Sequence, residues 1–356
     1  MNSILSFDSV GKRLGTRPVL RDVTLAVQPG EFVVLIGGSG SGKTTLLRIA
    51  AGLERADQGA VHLRGAAVDQ PSFGRFVAPE RRRIGMVFQD YALWPHYTCL
   101  ENVEAAATGG KAERRAAAME LLDYMGMAHN AGARPHRLSG GEQQRVGVAR
   151  ALAAGSDLLL FDEALSAVDP DLRDRLRMDL GDLVRRRRAA ALFVSHDPLD
   201  AWRLADRIAV LENGALTQVA TPAELYARPA TSRAARFTGA PGGFSADLAE
   251  REGAAGILLG DRFWPVTPVG VKAGERCRVH IRPEGVRRHE GGMAARPLRS
   301  VFESGRHRIE WALERCGLVL AGMESFPPAG DIGMIGIDSV HAFAYPLPVE
   351  GDSSGG

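Results

Sequence analysis

The chain has 356 residues, 45% hydrophobic and 24% charged, the balance of a globular protein long enough to bury its core without disulfides. Its 44 Lys and Arg stand against 42 Asp and Glu, which excludes the strongly basic balance of a nucleic-acid-binding chain, so no nucleic-acid partner is expected. Cys99, Cys277 and Cys316 have no metal-ligand spacing and form no disulfide framework.

The N-terminal stretch MNSILSFDSVGKRLG lacks the apolar core of a signal peptide. Apolar runs such as Phe32–Ile36 and Leu158–Phe161 are strand-length, well short of the roughly 20 residues of a membrane-spanning helix. Any work at a membrane is therefore expected to go through another chain. Val23, Leu25 and Val27 alternate as a strand, and Pro29-Gly30 turns it. The run Phe32–Ile36 predicts a strand buried on both faces. A glycine-rich loop follows, then a helix through Thr45–Ala51 that stops at Gly52.

Residues 90–155 read as mostly helical. Ala112–Met125 is rich in helix formers and ends at Gly126. A second helix continues past Leu138–Arg145 to about Ala154. Asp157–Phe161 and Ala191–Val194 are further buried strands, separated by a helix with Leu172, Leu176, Leu180 and Leu183 at helical spacing. The run Arg185–Arg188 suits the negative end of that helix. Around 238–244 the composition breaks. Strand-like segments Arg278–Ile281, Leu318–Leu320, Met334–Ile337 and His341–Tyr345 then predict a small β domain over 245–348, with 349–356 as a disordered tail.

Chemistry concentrates in three places. Gly37, Gly38, Ser39, Gly40, Ser41, Gly42, Lys43 and Thr44 match G-x-x-x-x-G-K-[ST] between a buried strand and a helix, the setting of a phosphate-binding loop. Glycines let backbone N–H groups face phosphate oxygens, and the helix N-terminus, Thr45 included, adds partial positive charge. Lys43 is expected at the β- and γ-phosphates and the Thr44 hydroxyl on Mg²⁺. Second, Asp162 and Glu163 end a buried strand. Successive side chains diverge, so Asp162 can hold Mg²⁺ while Glu163 faces elsewhere and activates a water. Third, Ser139 and Glu142 fit a capping box. That does not explain Gly140 and Gly141, each costly to order, which would let a phosphate approach the backbone. A second phosphate loop is most simply explained if it serves a nucleotide held by another copy of the chain.

These segments, taken in order, resemble the ATPase subunits of ATP-binding-cassette transporters. Gly37–Thr44 resembles Walker A, Phe88-Gln89-Asp90 the Q-loop and LSGGEQQR the family signature. Leu158–Asp162 with Glu163 resembles Walker B, Ser166–Asp169 the D-loop, and Val194–Asp197 the switch-histidine loop. The likeness spans about residues 4–238. It implies an α/β fold with a P-loop NTPase core, a helical subdomain over about 90–155, and a small all-β, OB-like domain beyond. It implies ATP and Mg²⁺, and a head-to-tail homodimer in which each ATP lies between one chain's phosphate loop and the other's Ser139, Gly140 and Gly141. Gln89 is expected to sense Mg²⁺ and the attacking water, His196 to contact the γ-phosphate, and Asp169 to communicate across the dimer.

Tyr91–Val103 resembles the segment that borders the membrane subunit's docking groove in importers. Trp94 reads equally as an interface anchor or as filling of the helical subdomain's core. Residues 203–237 and Ile281–Glu284 resemble the end of importer cassettes for sugars, polyamines, iron and oxyanions and their C-terminal TOBE domain. The implied protein is an importer ATPase at the cytoplasmic face of the membrane, partnered by integral permease subunits and, through them, a substrate-binding protein. The Q-loop segment leans towards ferric-iron or phosphonate relatives. The rival is a soluble cassette ATPase acting on nucleic acid or ribosomes. It would carry an inserted coiled coil or a second cassette, and the chain has neither. Two positions depart from the family. Leu14 stands where relatives place an aromatic that stacks on adenine, and Ala164 stands where proline often follows the glutamate.

Overall fold

The computed structural model describes residues 3–165, 170–328 and 332–347. The chain divides into two compact units, Met1–Pro222 and Ala223–Gly356. The division falls ahead of residue 238, so the short helices before that residue group with the β domain.

The first unit opens with the long strands β1 (Leu5–Leu14) and β2 (Arg17–Val27), then β3 (Phe32–Ile36) and helix α1 (Lys43–Ala51). Next come β4 (Gln58–Leu63), β5 (Ala66–Gln70), β6 (Arg75–Phe76) and β7 (Gly85–Val87). Three helices follow: α2 (Cys99–Glu104), α3 (Lys111–Tyr124) and α4 (Gly140–Ala153). The unit closes with β8 (Leu158–Asp162), α5 (Pro170–Arg186), β9 (Ala190–Val194), α6 (Pro198–Leu204), β10 (Arg207–Glu212) and β11 (Ala215–Ala220).

Strands β3, β7, β8, β9 and β10 form a parallel sheet in the order β11-β10-β3-β9-β8-β7, with β11 antiparallel at its edge. Every residue of β3, β8 and β9 is buried, as continuous apolar runs require of strands covered on both faces. A five-stranded antiparallel sheet, β2-β1-β4-β5-β6, accompanies it. One buried cluster joins Leu5, Phe7 and Val61 of that sheet to Leu35 and Leu160 of the parallel sheet and Leu46 and Leu47 of α1. In this sheet order, β3 and β8 flank β9, so the loops at their C-terminal ends meet at one edge. Ligands of open α/β sheets bind there.

The second unit carries α7 (Pro222–Ala227) and α8 (Ser232–Phe237), then β12 (Phe244–Arg251), β13 (Ala254–Leu259), β14 (Arg262–Pro265), β15 (Thr267–Pro268) and β16 (Arg276–Ile281). Strands β17 (Val286–Glu303), β18 (Arg306–Leu313), β19 (Val319–Glu324), β20 (Gly333–Ile337) and β21 (Ala342–Pro346) complete it. They form two sheets, β14-β13-β12-β16-β21-β15 and β19-β18-β17-β20. The core between them centres on Trp311, Val279, Ile309 and Ile335. The C-terminal region is all-β, as expected. The sequence reading found four strand segments there and missed β12 to β15, β17 and β18.

Candidate nucleotide and switch-loop site

The phosphate loop is shaped by chain packing before any ligand is considered. Gly42 has φ 104°, and a Cβ there would stand 2.8 Å from the Val19 carbonyl oxygen, so only glycine fits. At Gly37 a Cβ would stand 2.3 Å from the Leu211 carbonyl oxygen. Gly38 is half-buried, and Ser39 and Gly40 form the exposed crown of the loop. Lys43 is buried, and its ammonium donates to the carbonyls of Gly37 and Gly38, both at 2.9 Å. The buried Ser41 hydroxyl has no hydrogen-bond partner among the described residues. A buried polar atom left unpaired is costly, so it marks a place where a polar ligand would improve the site. Helix α1 begins at Lys43, so Thr44 and Thr45 lie in its first turn, where N–H groups have no partner within the helix.

The two strand-end carboxylates diverge as the sequence predicts. Asp162 closes β8 and accepts a hydrogen bond from the Thr44 hydroxyl at 3.0 Å. Burial pushes its carboxyl above the usual carboxylate range, against the hydrogen bond from Thr44 and the charges of Arg48 and Lys43. Glu163 leaves the strand at φ 48°, a left-handed conformation uncommon outside glycine. Its carboxylate lies 3.3 Å from Nδ1 of His196. Sheet register explains the meeting: Asp162 pairs with Val194 across β8 and β9, which places residues 163 and 196 just past adjoining strand ends. His196 keeps a side chain 61% exposed, open to an incoming group.

A network that the sequence reading missed holds this loop. Arg177 of α5 is buried. It donates to Asp200 at 2.6 Å and to Asp197 at 2.9 Å, and also pairs with Asp174. The Ser195 hydroxyl bonds Asp200 at 2.5 Å and accepts from the Asp197 N–H at 2.9 Å. Asp197 caps α6 through the Leu199 N–H. His196 is thus flanked on both sides by residues fixed to one buried guanidinium. Only the helical spacing of Arg173 and Arg177 and the Asp197–Asp200 spacing were visible in sequence, and neither names the partner.

Ser139 is the N-cap of α4, and the expected capping box is present: Glu142 accepts from the Ser139 N–H at 2.8 Å, and the Ser139 hydroxyl faces the Glu142 N–H. Hydrogen bonds from Ser139 hold the Glu142 carboxyl below the usual range. A Cβ at Gly140 would meet nothing within 4 Å among the described residues, so their packing does not demand that glycine. Gln89 lies exposed just past β7, the neighbour of β8, with no hydrogen bond to the other site residues among those described. Ser166–Asp169, including Asp169, lies outside the described residues.

Trp94 is 40% exposed, which favours a surface role over core filling. The Asn102 side chain receives its N–H and donates to its carbonyl, and the Arg150 guanidinium lies 5.0 Å from its ring centre. Arg150 is buried and also donates to the carbonyls of Tyr91 and Ala92. The exposed Tyr97 ring packs edge-on at 5.7 Å. No helix among the described residues is long and apolar enough to cross a membrane.

A family model described as ABC transporter matches residues 20–166. The sulfate/thiosulfate import ATP-binding protein of Chromobacterium violaceum is 43% identical over 237 residues, 66% of this chain and 63% of that protein's length. The sn-glycerol-3-phosphate import ATP-binding protein of the same organism is 38% identical over 296 residues, 81% of this chain and 78% of that protein. The Fe(3+) ions import ATP-binding protein of Rhizobium etli is 35% identical over 338 residues, 92% of this chain and 94% of that protein. Among solved structures, a dimeric ATP-binding cassette in a post-hydrolysis state, bound to ADP and Pi, superposes with a TM-score of 0.55 at 32% identity, covering 61% of this chain and 98% of that one. With relatives 35–38% identical over 81–92% of its length, the chain belongs to the ABC transporter family, among its import ATP-binding subunits.

Proposed function

We propose that this chain is the ATP-hydrolysing subunit of an importer, works as a homodimer on the cytoplasmic face of the membrane, and drives separate permease subunits that receive cargo from a substrate-binding protein. The observation that carries the reading is one cluster: Thr44 on Asp162 at 3.0 Å and Glu163 on His196 at 3.3 Å, from the ends of neighbouring strands. In the proposed site Gly37 to Thr45 cradle the phosphates, and Lys43 moves from its two carbonyls to the β- and γ-oxygens. Glu163 orients and deprotonates the attacking water, Gln89 positions it, and His196 contacts the γ-phosphate.

Magnesium fits this site. No trio of His, Cys, Asp or Glu among the described residues forms a metal cluster, but Mg²⁺ in nucleotide sites needs only one or two side-chain oxygens beside phosphates and waters. The Thr44 hydroxyl and the Asp162 carboxylate supply those, with Gln89 as a neighbour. Bound there, Mg²⁺ would neutralise charge on the transferring phosphate.

The second half of each site is assigned to the partner copy's Ser139, Gly140 and Gly141, with Asp169 communicating between the two. The open face of Gly140 supports this, since no described residue lies where its side chain would stand. The cassette of similar structure is described as dimeric. ATP must bind the closed dimer better than the open one to drive closure. The exposed Trp94–Tyr97 cluster is the proposed contact with the permease.

Cargo is set by other chains. The relatives named above serve sulfate or thiosulfate, glycerol phosphate and ferric iron, so identity alone does not choose. The test is a pull-down of Glu163→Gln, held with ATP, from detergent-solubilised native membranes, read by mass spectrometry. Polytopic membrane proteins are expected in the eluate, and an accompanying binding protein would name the cargo. Ribosomal or DNA-repair proteins without a membrane partner would overturn the reading.

A further inference from the structure

The second unit holds a cavity of about 680 Å³, within the range of small-molecule sites. It lies where two sheet edges come together without pairing. One edge is β14, which pairs with β13 alone, and the other is β20, which pairs with β17 alone. The cavity is lined from β14 by Arg262, Phe263 and Trp264, from the start of β17 by Arg287 and His289, and from the end of β20 by Ile337 and Asp338.

Its opening has a local cause. The β17–β20 register jumps between Arg288 and Met293, both of which face Ile335. The intervening residues 289–292, His-Glu-Gly-Gly, leave the ladder as a long bulge. His289 closes it by accepting the Gly291 N–H at 3.1 Å. Two glycines make the bulge possible. A Cβ at Gly292 would stand 2.1 Å from the Ile335 carbonyl oxygen, and one at Gly336 would stand 2.9 Å from the His289 Cβ. Bulges that re-aim side chains are features of sites.

The charges around the cavity are not balanced by their neighbours. Asp261 is paired with Arg315, whose hydrogen bond holds that carboxyl below the usual range. Arg288 is paired with Glu324 at 3.1 Å and lies over Trp311. Asp338 accepts the Val340 N–H. Two cations are left, against the one carboxylate of Asp338, whose charge a backbone N–H does not neutralise. Arg287 donates its Nε to the Glu284 carbonyl at 2.8 Å and has no ion pair among the described residues. The Arg262 side chain makes no hydrogen bond or ion pair among them, and its charge only adds to that of Arg315 in lowering the Asp261 carboxyl. Both are exposed, and their guanidiniums keep donors that can fork onto a carboxylate, sulfonate or phosphate. Trp264 is half-buried, with its indole N–H turned to the Met293 sulfur at 3.4 Å, so its apolar body remains for a planar group.

We propose that this cavity binds a small organic anion that carries a ring, with Arg262 and Arg287 on the anionic end and Trp264 against the ring. The cavity lies wholly within the second unit, so the proposal stands apart from the ATPase reading.

The test uses the full chain with excess ADP and Mg²⁺, which keeps the phosphate loop filled. The probe is 2-naphthoate, titrated by calorimetry, with 2-naphthalenemethanol and acetate as the uncharged and ringless controls. Saturable 1:1 binding of naphthoate is expected, with both controls at least tenfold weaker. Arg287→Gln and Arg262→Gln are each expected to weaken it about tenfold, and Trp264→Leu by a similar factor, with ATP hydrolysis unchanged in all three. Because Trp264→Leu could disturb the fold, the two exposed arginine variants decide the matter. Binding that does not saturate, that is equal for the uncharged analogue, or that survives both arginine substitutions would overturn the proposal.

Discussion

Leu14 ends β1 with its side chain 56% exposed. That exposure leaves the residue open to a ligand. A leucine offers a purine apolar contact but no π-face, whereas stacking of a base on an aromatic ring is worth about 1–3 kcal/mol. Replacing Leu14 by Tyr is therefore expected to tighten ATP binding by about 1 kcal/mol, roughly fivefold, and GTP by a different factor. Titration of the purified chain with each nucleotide checks this, and unchanged affinities for both would remove Leu14 from the nucleotide site. Glu163 makes the complementary point. Its identity was readable because an apolar strand ends in two acids, but its φ of 48° and its contact with His196 were not. They arise from the register of β8 against β9, a pairing between segments thirty-odd residues apart.

At the scale of elements, what was legible followed from strong local signals. Continuous apolar runs gave β3, β8 and β9 to within a residue or two, and Ser139 with Glu142 gave the start of α4. The β17 strand was hidden because VRRHEGGMAARPLRSVFE is mostly exposed, is broken by its bulge and shows no alternation. The link from α5 to the switch loop was hidden for another reason: an arginine on an amphipathic helix reads as a solvated charge, and only the fold buries Arg177 against three carboxylates. That burial makes it a positioning residue for His196. Removing one member of a buried charge cluster strands its partners, at roughly 3–5 kcal/mol. Arg177→Met is expected to unfold more readily by that amount. Arg177→Lys keeps the charge but loses the fork that serves Asp197 and Asp200 together. It is expected to stay folded, with kcat for ATP lowered about tenfold and KM little changed, because the phosphate loop is untouched. Steady-state hydrolysis by the folded lysine variant decides it, and a wild-type kcat would show that the network serves stability alone.

At the scale of the whole molecule, the chain carries two separate buried clusters, one in each unit, around β3 and α1 and around Trp311. Ligands that bind one unit stabilise that unit by mass action, so nucleotide should raise the unfolding transition of the first and leave the second to respond to its own chemistry. In the second unit His280 is 1% exposed. Its Nδ1 lies 3.3 Å from the Ala240 carbonyl oxygen and its Nε2 lies 2.6 Å from the Ser232 hydroxyl. The neutral ring satisfies both, donating from Nδ1 and accepting at Nε2. Burial pushes the imidazole pKa down to about 4, with Arg278 and Arg236 adding to the effect and the bond to Ala240 opposing it. Between pH 6.5 and 4 the unfolded chain therefore binds a proton that the folded unit refuses. The stabilisation is whole above about pH 6.5 and is lost as the pH falls towards 4, in total roughly 3 kcal/mol at about 1.4 kcal/mol per pH unit. Differential scanning calorimetry with ADP and Mg²⁺ should show the nucleotide-insensitive transition moving down across that window in the wild type. In His280→Asn, which can donate its amide to the Ala240 carbonyl in place of Nδ1, loses the bond to Ser232 and does not titrate, the same transition should start lower and move distinctly less. Equal pH slopes in the two proteins would mean that His280 is not the group that destabilises the second unit in acid.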